Sequence, residues 1–371
     1  MKRRKFIKIA GGTVILAGGA TYLLSDKSNV TRSDTRAENT IKLPLRSDEI
    51  NILYLASLAP SGHNTQPWAV KYIAPYHWVI CNDKTKWLPK VDPTQRETIL
   101  SIGAFMQNLE YAANNSGYDC LFEILAMTNQ DENLVEVKLV KSGSSLTFNT
   151  DKIKTRRTVR SNYLNDPLKK EDLSYLVNDE KDFFHFFGNT TKEFGWLNEQ
   201  TIEANKIQAY RDEAQKELSE WIRFSSKDAE KYRDGLTTAS MEIMGMPGWI
   251  LRNFYRESNV MAKGFREQGI DKVKSQVSRS AGWLLMTSKD NSLPALLETG
   301  MRMQRMFLKV RERGIAIHPM TQILEESQTA KSINRSIGIS DRIQFIIRTG
   351  YLNRYPVPVS LRRPVERFVK V

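Results

Sequence analysis

Cysteine is almost missing from this chain: Cys81 and Cys120 are the only two in 371 residues. That excludes a disulfide-built scaffold, and no CxxC pair is present for thiol redox chemistry. Both lie in apolar, strand-like runs, Trp78–Cys81 and Cys120–Phe122, where a buried free thiol is the ordinary expectation. A disulfide in an oxidising compartment stays open, because spacing carries no geometry. Long hydrophobic runs are also missing: nothing after residue 24 is apolar for long enough to span a bilayer. No basic run is interleaved with aromatics in the manner of a nucleic-acid module, so no nucleic-acid partner is expected despite a net charge of +13. The surplus cations mostly make a solvated basic surface, and an anionic ligand needs only a few of them. What is present, 40% hydrophobic and 26% charged residues, fits a folded soluble body of one large domain or two ordinary ones.

The N-terminus reads as an address. Met1–Lys8 spells Met-Lys-Arg-Arg-Lys-Phe-Ile-Lys, and Ile9–Leu24 follows with sixteen residues and no charge. The paired arginines, spacer, aromatic and lysine resemble a twin-arginine export signal. Sixteen residues suit a signal core and fall short of a comfortable transmembrane helix. Glycines at 11, 12, 18 and 19 keep the run only mildly hydrophobic. No Ala-x-Ala site follows Leu24, which leaves open that the segment stays attached as an anchor; the missing cysteine argues against lipidation. Localisation is therefore expected to be periplasmic or at the outer face of the cytoplasmic membrane, with membrane contact only through an uncleaved residue 1–25 segment. Residues 26–44 are polar enough to read as a linker.

A repeat runs through the helices. Thr98–Gly117 and Ala295–Gly314 align at a constant offset of 197, which superposes Leu100 on Leu297, Gly103 on Gly300, Gln107 on Gln304 and Gly117 on Gly314. Both carry apolar residues at helical spacing, and both end at a glycine placed as a C-terminal cap. A glycine inside a helix costs about 0.5–1 kcal/mol relative to alanine, so its recurrence points to close helix–helix packing. Strands are expected at Trp68–Ile73 and Trp78–Asn82 as a hairpin, at 121–127, 135–140, 283–287 and 344–348, with further helices at 48–58, 169–177, 192–223 and 295–313. The stretch 235–280, rich in methionine and aromatics, is either a core insertion or a lid.

Two segments carry the chemistry. Ala59–Trp68 reads Ala-Pro-Ser-Gly-His-Asn-Thr-Gln-Pro-Trp, and Thr155–Ser161 reads Thr-Arg-Arg-Thr-Val-Arg-Ser. Together they resemble the two signature segments of the nitroreductase family, specifically its Acg-type branch. The order here is reversed and the segments lie almost a hundred residues apart. The resemblance covers about residues 45–371. It implies an α+β, internally duplicated pseudo-dimer in which two mixed or antiparallel sheets surround long core helices. Residues 45–150 would form one half, and 151–371 the other with its lid near 235–280.

The resemblance further implies one FMN, held between the halves by a single composite site. Arg156 would meet the phosphate and Arg160 the pyrimidine edge, with Arg157 between them and Thr158 in the place of the usual serine. Guanidinium groups suit this because they grip phosphate with paired hydrogen bonds. Arg362-Arg363, after Gly350-Tyr351, resembles the family's closing basic segment. Pro60, Ser61, Gly62, His63 and Asn64 would form a turn whose amides approach the ring, with Ser61 and Asn64 adding side-chain donors; Gln66 then leads the chain into the sheet, and Trp68 reads as core. His63 is expected to hydrogen-bond, with general-acid work as the alternative. His318 and Pro319 would wall the ring's N5 side. Arg311, late on the second core helix, is expected to face water or the helix dipole. No catalytic side chain and no metal ligand is assigned. The expected function is an exported, monomeric FMN oxidoreductase of nitroreductase type, passing electrons between small-molecule donor and acceptor. The alternative is a flavin-holding protein with little turnover beneath its lid.

Overall fold

The computed structural model describes residues 29–32, 43–143 and 148–371. The export signal lies outside the described residues. Two sheets form the frame. In the first, β1 (Trp68–Ala74), β2 (His77–Asn82), β3 (Tyr118–Ile124) and β4 (Asn133–Lys141) run in the order β1-β2-β4-β3. In the second, β5 (Phe184–Gly188), β6 (Gly282–Ser288), β7 (Ile315–Pro319) and β8 (Arg342–Tyr351) run β5-β6-β8-β7. These are the same pattern twice, antiparallel at every step. A short C-terminal strand, β9 (Val369–Lys370), crosses over to extend the first sheet in parallel beside β1, with Val70 opposite Val369.

The core helices follow the second strand of each set. The first, Arg96–Asn115, begins where Asp92 accepts a 2.9 Å bond from the Thr98 amide. The second, Leu293–Phe307, is capped by Ser292 and carries Pro294 in its first turn. Gly117 (φ +80°) and Gly314 (φ +63°) close the two arms in the left-handed region. The helices cross at the repeated glycines. A Cβ on Gly103 would stand 2.1 Å from the Leu297 carbonyl oxygen, and one on Gly300 would stand 2.1 Å from that of Leu100. The polar contacts repeat the exchange: Gln304 donates to Asn108 (2.8 Å), and Arg305 donates to Gln107 (2.7 Å). Because 107 aligns with 304 and 108 with 305, each contact is the symmetry mate of the other. One chain thus contains an isologous interface. A single apolar core, with Phe105, Leu100, Leu297, Met303 and Phe307 at its centre, spans the junction.

Some boundaries differ from expectation. The second core helix ends at Phe307, not 313, and tightens into a 3-10 turn, Val310–Arg313, as Lys309 N bonds the Met306 carbonyl. The expected helix 192–223 breaks at Arg211 into Lys192–Tyr210 and Asp212–Trp221. Arg211 adopts an extended backbone there, with its guanidinium on the Lys90 carbonyl and Glu326. Residues 29–32, expected to be linker, are docked: Val30 is buried with Ala229 and Leu361, and Asn29 bonds the 235–280 stretch. Cys81 and Cys120 are both free thiols, on strands separated by β4.

The crossing yields a test with opposite signs. Gly103→Ala should lose at least about 1–3 kcal/mol in urea unfolding, because a backbone carbonyl cannot yield to the new methyl. Gly195→Ala, inside a helix with nothing within 4 Å of the new Cβ, should gain about 0.5–1 kcal/mol.

Candidate functional site

The Ala59–Trp68 segment folds as a tight turn because its side chains lock it from both sides. Ser61 Oγ accepts from the Gln66 amide at 2.9 Å, and a 3-10 turn covers Gly62–Asn64. His63 (φ 45°), Asn64 (φ 56°) and Gln66 (φ 56°) all sit in the left-handed region, an unusual density for residues with a Cβ. Asn64 bonds the carbonyls of Gly235 (3.1 Å) and Leu361 (3.2 Å). Gln66 donates to the Arg233 carbonyl (2.9 Å) and accepts from the Arg363 amide (2.8 Å). The donors of Asn64 and Gln66 are therefore spent on protein, fastening the C-terminal tail and the base of the 235–280 stretch. Trp68 is core, stacked on Phe105.

The basic segment divides its work. Arg157 pairs with Glu242 (3.2 Å) and reaches the Val357 carbonyl. Arg160 donates through its amide to Glu242 (3.0 Å) and through its guanidinium to the Ser240 carbonyl (2.8 Å). Ser161 also bonds Glu242, so this carboxylate latches the 235–280 stretch onto the segment. Thr158 is half-buried between them. Arg156 is different. It is buried, stacked over the Phe307 ring at 4.7 Å, and makes a single long bond, 3.4 Å, to the Leu58 carbonyl. Its Nε and Nη1 are buried without a partner. Burial pulls its pKa down to about 9, with Arg32 and Arg160 adding to the depression. Arg362 shares the Leu58 carbonyl (3.3 Å), bonds Ala59 O (2.9 Å) and Asn64 Oδ1 (2.8 Å), and is driven well below the arginine range by the same burial and by Arg156. Two buried guanidiniums thus converge on one carbonyl, with no carboxylate among the described residues bonded to either, an arrangement whose chemistry suits an anion. Arg363 points elsewhere, clamping the carbonyls of Gln66 (2.6 Å) and Trp68 (2.8 Å) beside Asp83.

Beyond Arg160 opens a cavity of about 360 Å³. His318 and Met320 form one wall, and Met241, Pro247, Leu251, Tyr255 and Phe265 the other. Its charged lining residues are Arg160 and Lys272, with no carboxylate among them. Burial holds His318 neutral, its Nδ1 without a partner; Pro319 closes β7 beside it. A larger open groove of about 620 Å³ lies between Trp87 and Trp221, among lysines and glutamates, and no basic-segment residue lines it.

Next to the turn lies an acidic group that sequence reading missed. The Thr321 hydroxyl is 3.0 Å from Glu97 Oε1 and 3.0 Å from Glu325 Oε1. A hydroxyl has one proton to give, so one carboxyl must hold a proton to complete the second bond. Burial, then Glu97, raise Glu325 to about 8, and the same causes raise Asp92 to about 7. His63, also buried, falls to about 4 despite Glu97, so it is neutral at pH 7 and carries no imidazolium proton for acid work. Arg348 was missed too: from the middle of β8 it donates 2.7 Å to the Arg160 carbonyl and stacks over Tyr163, holding the basic segment in place. A charge inside an apolar strand was its signal. Arg311 does not face water; it bonds the carbonyls of Thr155 and Pro356 and covers Tyr355, because the 3-10 turn rotates it inward.

Residues 153–351 match the model of the nitroreductase family, more than half of the chain, and the chain belongs to that family. Two relatives align over most of their length. PigM of a Serratia species, provisionally named an NAD(P)H nitroreductase, is 22% identical over 339 residues, covering 84% of this chain and 90% of PigM. The acg protein of Mycobacterium tuberculosis, provisionally given the same activity, is 24% identical over 330 residues, covering 85% and 93%. Among solved structures, the FMN-dependent nitroreductase NfnB of Mycobacterium smegmatis aligns at 15% identity and TM-score 0.36, over 59% of this chain and 96% of that one.

The carboxyl pair gives a pH test. Glu325 binds its proton more tightly folded (about 8) than unfolded (near its ordinary 4.5), so the folded state holds the extra proton between those values. Stability should fall as pH rises from about 4.5 to 8 and level off above. Glu325→Gln should flatten that slope in urea unfolding at stepped pH; an unchanged slope would place the proton elsewhere.

Proposed function

We propose that the chain is an FMN-dependent oxidoreductase, exported by the twin-arginine route to the periplasm or the outer face of the cytoplasmic membrane. The observation that carries the cofactor is Arg156, a buried cation with two unpartnered nitrogens beside a second buried guanidinium. A flavin phosphate is the anion such a cradle suits. PigM and acg, with NAD(P)H nitroreductase in their names, support the reading. When bound, FMN supplies the two-electron relay between donor and acceptor. The chain's own residues do the rest. Arg156 and Arg362 hold the phosphate end. Arg160 bridges from the cradle toward the cavity, where His318 and Pro319 form a neutral wall. The 235–280 stretch excludes water, and the Glu97–Thr321–Glu325 group keeps one proton beside the strained turn. Arg160 and Lys272, without a carboxylate among the lining residues, suit a small, flat, electron-poor acceptor. The protein works as a monomer with one site, since its fold already contains the interface.

A second reading has its own observation. Glu242 is bonded by Arg157, Arg160 and Ser161 at once, and a latch held that firmly favours a flavin kept covered with little turnover. NADPH oxidation by the holo-protein, with and without a nitroaromatic, separates the two.

The cradle is tested by titrating the apo-protein with FMN and with riboflavin. Arg156→Ala should weaken FMN by about 1.5–3 kcal/mol, roughly 10- to 150-fold, and leave riboflavin almost unchanged. Arg335→Ala removes the same charge from an exposed helix and should alter neither. Equal losses for both ligands would show that Arg156 supports the fold and holds no phosphate. Acid release should return one FMN per chain, and light scattering one chain per particle.

A further inference from the structure

The 235–280 stretch carries an outer face that the cavity does not explain. Its helix Gly245–Phe254 buries Gly248 and Arg252 inward, and Pro247, Ile250 and Leu251 line the cavity. The remaining side looks outward: Met244 is 60% exposed, Met246 66% and Phe254 49%, with Trp249 packed edge-on against Phe254. From Ile243 to Arg256 there is no acidic side chain. Large apolar side chains clustered on one exposed helix of a soluble body mark a contact surface.

The same place is where the chain arrives from its N-terminus. Asn29 accepts from Arg252 (2.6 Å) and Thr238 (2.5 Å), and its amide lies 3.6 Å from the Met244 sulfur. Four residues lie between Leu24, the last residue of the uncharged run, and Asn29, so at most about 18 Å of extended chain joins that run to Asn29 beside the helix. If Ile9–Leu24 is held in a bilayer, the exposed methionines are held at its surface.

We infer that the helix Gly245–Phe254 is a membrane-docking element: Met244, Met246 and Phe254 rest in the headgroup layer of the bilayer in which Ile9–Leu24 is anchored. A short helix with an apolar side, an interfacial tryptophan and only basic charge fits such a surface. The geometry also carries a functional consequence. The helix meets lipid on one side and the cavity on the other through Pro247, Ile250 and Leu251, so an acceptor dissolved in the membrane reaches the site without crossing water. The inference rests on retention of residues 9–24 and stands apart from the flavin reading, which the FMN titration tests separately.

The test uses the full chain in phosphatidylcholine–phosphatidylglycerol vesicles. A fluorophore is placed at Met246→Cys or, as the control, at Met127→Cys, an equally apolar and still more exposed position in the β3–β4 connection. The natural thiols compete little: Cys81 is buried, and burial raises Cys120 far above the usual thiol range. Spin-labelled lipids should quench the label at 246 several-fold more than the label at 127. The variant Met244→Ser/Met246→Ser/Phe254→Ser should still bind FMN but expose Arg256 to trypsin in vesicles that shield it in the unsubstituted protein. Equal quenching at both positions overturns the inference even if the protein floats with the vesicles. A 246 label that shifts without lipid, in a particle twice the chain mass, overturns it in favour of a second copy of the chain. Failure to float removes the anchor and the inference with it.

Discussion

Everything in this molecule is arranged around one backbone contact. Two helices approach so closely at Gly103 and Gly300 that each glycine faces the other helix's carbonyl where a methyl group would sit. Nothing larger than hydrogen is tolerated on either side, so the crossing is fixed in position and angle by sterics. Once it is fixed, the sheet attached to each helix has its place, and the turn that leads into one strand set meets the basic segment that precedes the other. The anion cradle is a product of that meeting: Arg156 comes from the second half, the Leu58 carbonyl from the first, and Arg362 from the tail that crosses back.

The helices and their glycines were legible in the sequence because both follow from local rules: apolar spacing, a cap, and an interior glycine that needs an explanation. The duplication of the sheets was less visible. Its strands are short, and more than a hundred residues separate β5 from its counterpart β1. The site was legible in part. Arg156 and the strained turn stood out by motif, but motif cannot say which side chains are already employed. Asn64, Gln66, Arg157 and Arg363 carry the right chemistry for a ligand, yet each is bonded to protein. Glu325 and Thr321 escaped notice because their relation to Glu97 spans 228 and 224 positions and exists only in three dimensions. Arg311 was misplaced for a smaller reason: a 3-10 turn advances faster around its axis than an α-helix, and the residue faces another way.

Charge is handled differently on the two sides of the site. At the cradle, guanidiniums are buried with no carboxylate among the described residues bonded to them, a costly arrangement that an anion would relieve. Beside the turn, Glu97 and Glu325 meet at the Thr321 hydroxyl: Glu97 is paired with Arg96 (2.8 Å), while burial and the neighbouring Glu97 hold the proton on Glu325. One side is prepared to receive negative charge, and the other to give up or hold a proton. A reaction that moves electrons and protons together needs both.

The strand Val369–Lys370 lies beside β1, which was made some three hundred residues earlier. Arg362 and Arg363 belong to the same tail. The first sheet and the cradle therefore cannot be completed until this tail has been made, however early the first core helix forms. A chain stopped short would lack one of the two guanidiniums at the Leu58 carbonyl and the clamp on Gln66. Loss of this tail would therefore undo the edge of the first sheet and the cradle together, because the route of the backbone ties one to the other.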